Sequence, residues 1–230
     1  MTRHLSPALF EFLKDLEANN EKPWWDQNKD RFLRSVRDPA LAFISDFGPR
    51  LASISTHFVA DPRPTGGSLM RPYRDTRFSH DKTPYKTNVG IQFRHESGSD
   101  IHAPGFYLHL EPGGCFAGVG LWHPPTDIAR QIRQSIYDDA PGWERAAKGA
   151  EFTSTWSTQQ DDDETLKRVP RDFDPNHPYA EDLKMRSFIA GATVSQRVVT
   201  SSGFDSELAS MFTSAGPFAA FLCQAVGVPF

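Results

Sequence analysis

The sequence predicts an α+β fold: a single domain in which a mostly antiparallel sheet packs against N-terminal and C-terminal helices. Three observations predict it. Apolar residues recur at helical spacing through the first sixty positions, and they alternate with polar ones between residues 87 and 122. The 230 residues contain no internal repeat and no clean linker, so one domain, residues 1–230, is the economical reading. Within it, residues 1–60 form a helical part and residues 69–230 an α+β body.

Ser6-Pro7 marks the first helix start, Ser6 as cap and Pro7 at the first helical position. Leu9, Phe12, Leu13 and Leu16 then share one face, and Asn19-Asn20 ends the helix. Pro23 opens a second helix through Trp25, Phe32 and Val36. Asp38-Pro39 either kinks it or starts another, with Asp38 as cap, and Leu41, Ile44, Phe47, Leu51 and Ile54 continue the stripe. Trp24 and Trp25 read as a core anchor and a staple, with a ligand platform as the alternative.

A loop follows from Asp61 to Gly67. Thr87–His95 then alternates, Val89, Ile91 and Phe93 against Asn88, Gly90, Gln92 and Arg94. Phe106–Glu111 alternates too, Pro112-Gly113-Gly114 turns the chain, and Cys115–Trp122 returns it as a hairpin. The apolar face belongs on the helices. The other face carries Asn88, Gln92, His109 and Glu111, with Gly118 and Gly120 leaving room; it is either a solvated face or a cleft. Asp127–Tyr137 is a helix capped by Thr126 or Asp127, and Pro141–Trp143 opens a shorter one. Asp161–Glu164 reads as a solvated helix start and Pro170–Pro178 as an extended segment. Ser187–Val194 reads as a further strand, and Glu207–Phe212 and Phe218–Val226 as closing helices.

Composition narrows the function. A formal charge of −4 excludes a bulk polycation that coats nucleic acid, and 38% apolar with 12% aromatic residues excludes an acidic disordered chain. Eighteen phenylalanines point to a Phe-heavy core. The first fifteen residues mix charge without an apolar run, unlike a signal peptide, and the most apolar segment, Phe218–Phe230, is too short to span a bilayer. A soluble cytoplasmic protein without a membrane partner is the expectation. Cys115 and Cys223 have no metal or redox spacing and read as free buried thiols.

Residues 71–86 are the anomaly. Arg71, Arg74, Arg77, Lys82 and Lys86 face only Asp75 and Asp81, a net of +3 against −7 for the rest of the chain. Arginine offers planar paired donors that suit carboxylate or phosphate, so one reading is a site for a small anionic ligand. The other is a salt-bridge network in which Asp75 and Asp81 neutralise their neighbours. The arginines, spaced by three, would share a face on a helical turn or converge on an irregular loop. An acidic body repels an extended polyanion, which makes nucleic acid an unfavoured partner. A second basic segment, Lys167, Arg168, Arg171, Lys184 and Arg186, would enlarge the patch if the fold brought it there.

The pattern Arg71-x-x-Arg74-Asp75-x-Arg77-Phe78, continued by Asp81-Lys82-x-x-Tyr85, resembles the signature of the bacterial domain-of-unknown-function family numbered 2461. The similarity extends to Trp24-Trp25, to the hairpin with Tyr107, Gly118 and Gly120, and to the run from Leu166 to Pro178. The resemblance implies a family but brings no reaction and no catalytic residue with it.

Acid–base chemistry needs a titratable group beside an anion or carbonyl hole. Asp75, His109 and Tyr85 are the catalytic candidates. Arg71, Arg74, Arg77, Lys82, Lys86, Glu111 and Arg186 are the ligand-binding ones. Asp75 would orient an arginine, and His109 or Tyr85 would handle a proton. His102, His109, Glu111 and His123 have no metal-ligand spacing, and neither a nucleophile elbow nor a phosphate-binding glycine loop is present, so no metal or cofactor is implied. A small-anion enzyme or binding protein is the leading reading. A non-catalytic interaction module and a purely structural Arg/Asp network are the alternatives. Oligomeric state is not encoded legibly.

Overall fold

In the computed structural model, which describes residues 4–77, 80–98, 102–158 and 165–230, the chain begins with helices α1 (Pro7–Ala18), α2 (Lys22–Phe32) and α3 (Asp38–Ile54). Ser6 occupies the cap position of α1 but its side chain makes no capping hydrogen bond; the fixed φ of Pro7 and the buried face of Leu9, Phe10, Phe12, Leu13 and Leu16 hold the start. Asp38 is the first residue of α3 rather than its cap, and the chain stays helical up to it. A π-helical turn, Leu33–Arg37, carries the chain straight from α2 into α3, with Asp38 itself helical. The wide turn accommodates Pro39, which has no N–H to return to the preceding turn.

The sheet runs β1 (Phe58–Val59), β2 (Val89–His95), β3 (Gly105–Leu110), β4 (Phe116–Leu121) and β5 (Phe188–Thr193), every neighbour antiparallel and the spatial order the same as the chain order. Its inner face presents Ile91, Phe93, Phe106, Leu108, Val119 and Phe188, all buried. Phe47 of α3 meets Phe93 at 5.2 Å between ring centroids, and Phe212 meets Phe106 at 4.6 Å. Phe212 belongs to α8 (Phe204–Ser214), which with α9 (Gly216–Ala225) closes the core.

Between β4 and β5 lies α4 (Thr126–Asp138), whose cap is Pro125 rather than Thr126 or Asp127. The short helices α5 (Ala140–Trp143) and α6 (Ala150–Thr153) follow it. Arg133 of α4 is buried and donates to the carbonyls of Leu183 at 2.8 Å and Met185 at 2.7 Å, which seats α4 on the start of β5. The segment from Pro170 to Pro178 is a series of turns rather than an extended strand: the Phe173 N–H donates to the Pro170 carbonyl and the His177 N–H to that of Asp174. One further short helix, α7 (Gln196–Val199), follows β5. The acidic run Asp161–Glu164 lies outside the described residues. Cys115 and Cys223 are both free and buried, and among the described residues no single helix is long and apolar enough to cross a membrane.

Candidate functional site

Residues 68–70 lie along the part of the β2 edge that β1 leaves open. The Met70 N–H donates to the Gly90 carbonyl at 2.9 Å, and the Gln92 N–H to that of Ser68 at 2.8 Å. The chain then doubles back as a two-stranded ribbon. Tyr73 stands opposite Tyr85, the Arg74 N–H donates to the Pro84 carbonyl at 2.9 Å, and the Lys86 N–H donates to that of Pro72 at 2.7 Å. Asn20, just past α1, clamps the ribbon from below, giving an N–H to the Tyr85 carbonyl and accepting the Tyr85 N–H. The Tyr85 ring is buried flat on Trp25, with centroids 4.2 Å apart and an interplanar angle of 11°. Burial pushes its phenol above the usual range. Tyr85 thus sits under the ribbon as a packing residue.

The basic motif is a ribbon and a loop, not a helical turn, and its cations have different partners. Arg74 bonds Asp81 and the Thr83 hydroxyl. The Thr83 backbone N–H, then Arg74, draw the Asp81 carboxyl down to about 2. Arg77 forms a paired contact with Asp75, at 2.9 Å from Nε and 2.6 Å from the terminal nitrogen, and holds that carboxyl below its ordinary range. The Lys82 ammonium donates to the Thr76 carbonyl at 2.8 Å. These contacts stitch the loop together.

Arg71 and Lys86 differ. They flank the base of the ribbon, and both line a cavity of about 680 Å³ between α1, α2, the π-helical turn, the loop 64–67 and β2. Neither side chain has a hydrogen-bond or ion-pair partner among the described residues. Lys86 is half-buried, and that burial, with Arg71 nearby, holds its ammonium below the usual lysine range. The floor is aromatic and aliphatic (Phe12, Leu16, Trp25, Phe32, Val36), and the wall is Leu69, Met70, Pro72 and Tyr73. Arg37 and Arg94 stand at the rim, the first bonded to Asp38 and the second to Gln92. No carboxylate lines the cavity among the described residues.

Asn88 on the cavity wall leads to a second cluster on the outer sheet face. Its amide nitrogen lies 3.1 Å from His109 Nδ1. The Tyr107 hydroxyl is also 3.1 Å from Nδ1, and the Glu111 carboxylate is 3.1 Å from Nε2. His109 stacks on Phe116 at 4.6 Å. The arrangement suits one tautomer, with Nε2–H donating to Glu111 and Nδ1 accepting from Tyr107 or Asn88. Burial, then the Glu111 charge, raises the Tyr107 phenol. Gly90 makes this approach possible: a Cβ there would stand 2.7 Å from the Tyr107 hydroxyl and 2.7 Å from the sulfur of Met70, a cavity-wall residue.

The fold therefore brings together Arg71 and Lys86 at the cavity, with His109 and Glu111 beside it. It leaves Asp75, Arg74, Arg77 and Lys82 in their own loop and Tyr85 in the core. The second basic segment stays apart. Arg186 reaches toward the Thr165 carbonyl and Lys184 bonds Glu181, both near β5 on the far edge of the sheet. Sequence placed Asn88 on the outer face with His109 and Glu111 but gave it no role, and it did not single out Tyr107 or Met70 as site residues. For Tyr107 the signal was present, since strand alternation sets it on the face of His109. Two other hollows are less suited to an anion: one of about 40 Å³ near His4 and Asp46, and one of about 420 Å³ rich in serine and threonine with no basic side chain.

Comparison with curated proteins gives no match, and comparison with solved structures gives none. The family model described as conserved hypothetical protein (DUF2461) matches residues 8–221, which span the helices, the ribbon, the cavity and the whole sheet, and the chain belongs to that family.

Proposed function

We propose that the protein binds a small organic anion in the cavity beneath residues 64–73, with Arg71 and Lys86 holding its charge. One observation carries this reading. Two cations share a cavity whose lining holds no carboxylate among the described residues, Arg71 feeling Asp75 only through space, while Arg74, Arg77 and Lys82 in the same motif are bonded locally. A half-buried ammonium beside a second cation is a standing cost to the fold, and an anionic ligand relieves it. The local pairing leaves little of the +3 island as an open basic surface, which does not favour nucleic acid. The Tyr107–His109–Glu111 chain, joined to the wall through Asn88, supplies a group able to move a proton next to the bound anion.

The test is native-state protection. Phosphate esters, nucleotides and mono- and polycarboxylates are screened by thermal shift, then by calorimetry. A ligand at about a hundred times its Kd stabilises by about 2.7 kcal/mol. The expected outcome is an anion that raises Tm in the wild type and not in Arg71→Ala, a substitution of an exposed side chain whose ligand-free Tm should stay close to wild type. Absence of any shift at millimolar anion would sink the proposal.

A further inference from the structure

We infer that the anion is a carboxylate carried on an aromatic or branched aliphatic body, rather than a sugar phosphate or nucleotide. This rests on the anion site proposed above and names its ligand class.

The first argument is the wall. Met70 and Tyr73 are large apolar side chains that stand 39% and 48% exposed on the cavity side of the ribbon. Burying such surface is worth about 25 cal/mol per Å², and only a ligand with apolar surface of its own recovers it. Beneath them Phe32 is the partly exposed ring of an aromatic cluster, with Phe12 and Trp25 buried behind it, Trp25 and Phe32 at 4.8 Å and Phe12 and Phe32 at 5.7 Å. Aromatic and branched groups pack against such a ring edge-on or offset.

The second argument is hydrogen-bonding capacity. Apart from the four cations, the polar side-chain groups on the lining among the described residues are those of Asn88 and Thr65, the Tyr73 hydroxyl and the Trp25 indole N–H, few for a body with many hydroxyls. A hexose or ribose brings several hydroxyl groups, and each one buried without a partner costs about 1–3 kcal/mol. A body without hydroxyls carries no such penalty.

The third argument is the charge count. Arg37 at the rim is paired with Asp38 and Arg94 donates through Nε to the neutral amide of Gln92, which leaves Arg71 and Lys86 as the lining cations without a hydrogen-bond partner among the described residues. The planar fork of Arg71 and the point charge of Lys86 together match the two oxygens of one carboxylate. A phosphate monoester brings a third terminal oxygen and up to a second negative charge, which would fall to Arg94, a cation already engaged through its Nε. The cavity volume of about 680 Å³ is in the range that encloses a compact organic acid.

The experiment uses the full chain and four probes in calorimetry: naphthoate and phenylpropionate as apolar carboxylates, naphthamide as the uncharged twin of the first, and AMP as a hydroxyl-rich anion. Expected is binding of at least one carboxylate, at least tenfold tighter than naphthamide or AMP. It should weaken at least tenfold in both Arg71→Ala and Lys86→Met. The second variant removes a partly desolvated charge and keeps the stem, so it should melt no lower than wild type, and a thermal melt of the variant separates weaker binding from misfolding. If AMP binds as tightly as the carboxylates and needs Arg71, the inference is overturned while the anion site stands. If naphthamide equals naphthoate, or no probe binds at millimolar concentration, both fall.

Discussion

Arg71 and Arg74 are three residues apart and have opposite environments. Arg74 is bonded into a loop with Asp81 and Thr83; Arg71 lines a cavity with no ion-pair partner among the described residues. The charge island was legible in the sequence, but the division of labour within it was not. Helical spacing suggested one shared face, whereas ribbon pairing between 72–74 and 84–86 points successive cations to different places. The loop's own chemistry predicts a pH dependence. The Asp81 carboxyl falls to about 2 in the folded chain from its ordinary 3.8. Between those values the unfolded chain binds more protons, so the contribution of Asp81 is full above about pH 4 and lost as pH falls toward 2. Asp75 is lowered in the same direction by Arg77. Denaturant melts from pH 5 to pH 2 should therefore show a shallower acid loss of stability in Asp81→Asn than in wild type. Equal slopes would mean that the loop contacts do not persist in solution.

At the scale of elements, the periodic pieces were readable and the irregular ones were not. Period-2 alternation marked β2 and β3, the glycine turn placed β4 as the return strand, and β5 was read as a strand, all to within two residues at each end. The two-residue β1 and the ribbon escaped, being too short to show a period. The π-helical turn escaped because proline at 39 reads as a boundary, whereas the wide turn accommodates it and Phe43 and Phe47 beyond it pack on Phe204 and Phe93. The β4–β5 pairing has one rigid requirement. Gly120 has φ +124°, and a Cβ there would stand 2.0 Å from the Phe188 carbonyl oxygen. Gly120→Ala must shift one strand off the other. We expect a loss of at least about 3 kcal/mol, a fall in Tm of roughly 6–12 °C for a chain of this size. Gly191→Ala on the facing strand, whose Cβ would meet nothing closer than 4.0 Å, should change Tm far less. Equal melting curves for the two variants would refute this account of the strand pair.

For the whole molecule, the candidate site was the least legible part. Its floor comes from residues 12–36 and its wall from residues 64–94, and no spacing rule joins a helix face to a loop some fifty positions later. The histidine, the glutamate and two of the cations were visible as residue types; the apolar half of the site looked like ordinary core. The order of the sheet carries a further consequence. Strands β1 to β4 follow one another along residues 58–121, but residues 122–187 intervene before β5. Closing that long loop is entropically the slower step, so the four-stranded meander should form first. In pulse-labelled hydrogen exchange during refolding, amides of β2 and β3 should gain protection before those of β5; simultaneous protection would argue for a single concerted step. Every side chain lining the cavity lies between residues 12 and 94. A chain leaving the ribosome thus releases all the walls of its pocket before β5, and well before α8 arrives to brace α3 from behind.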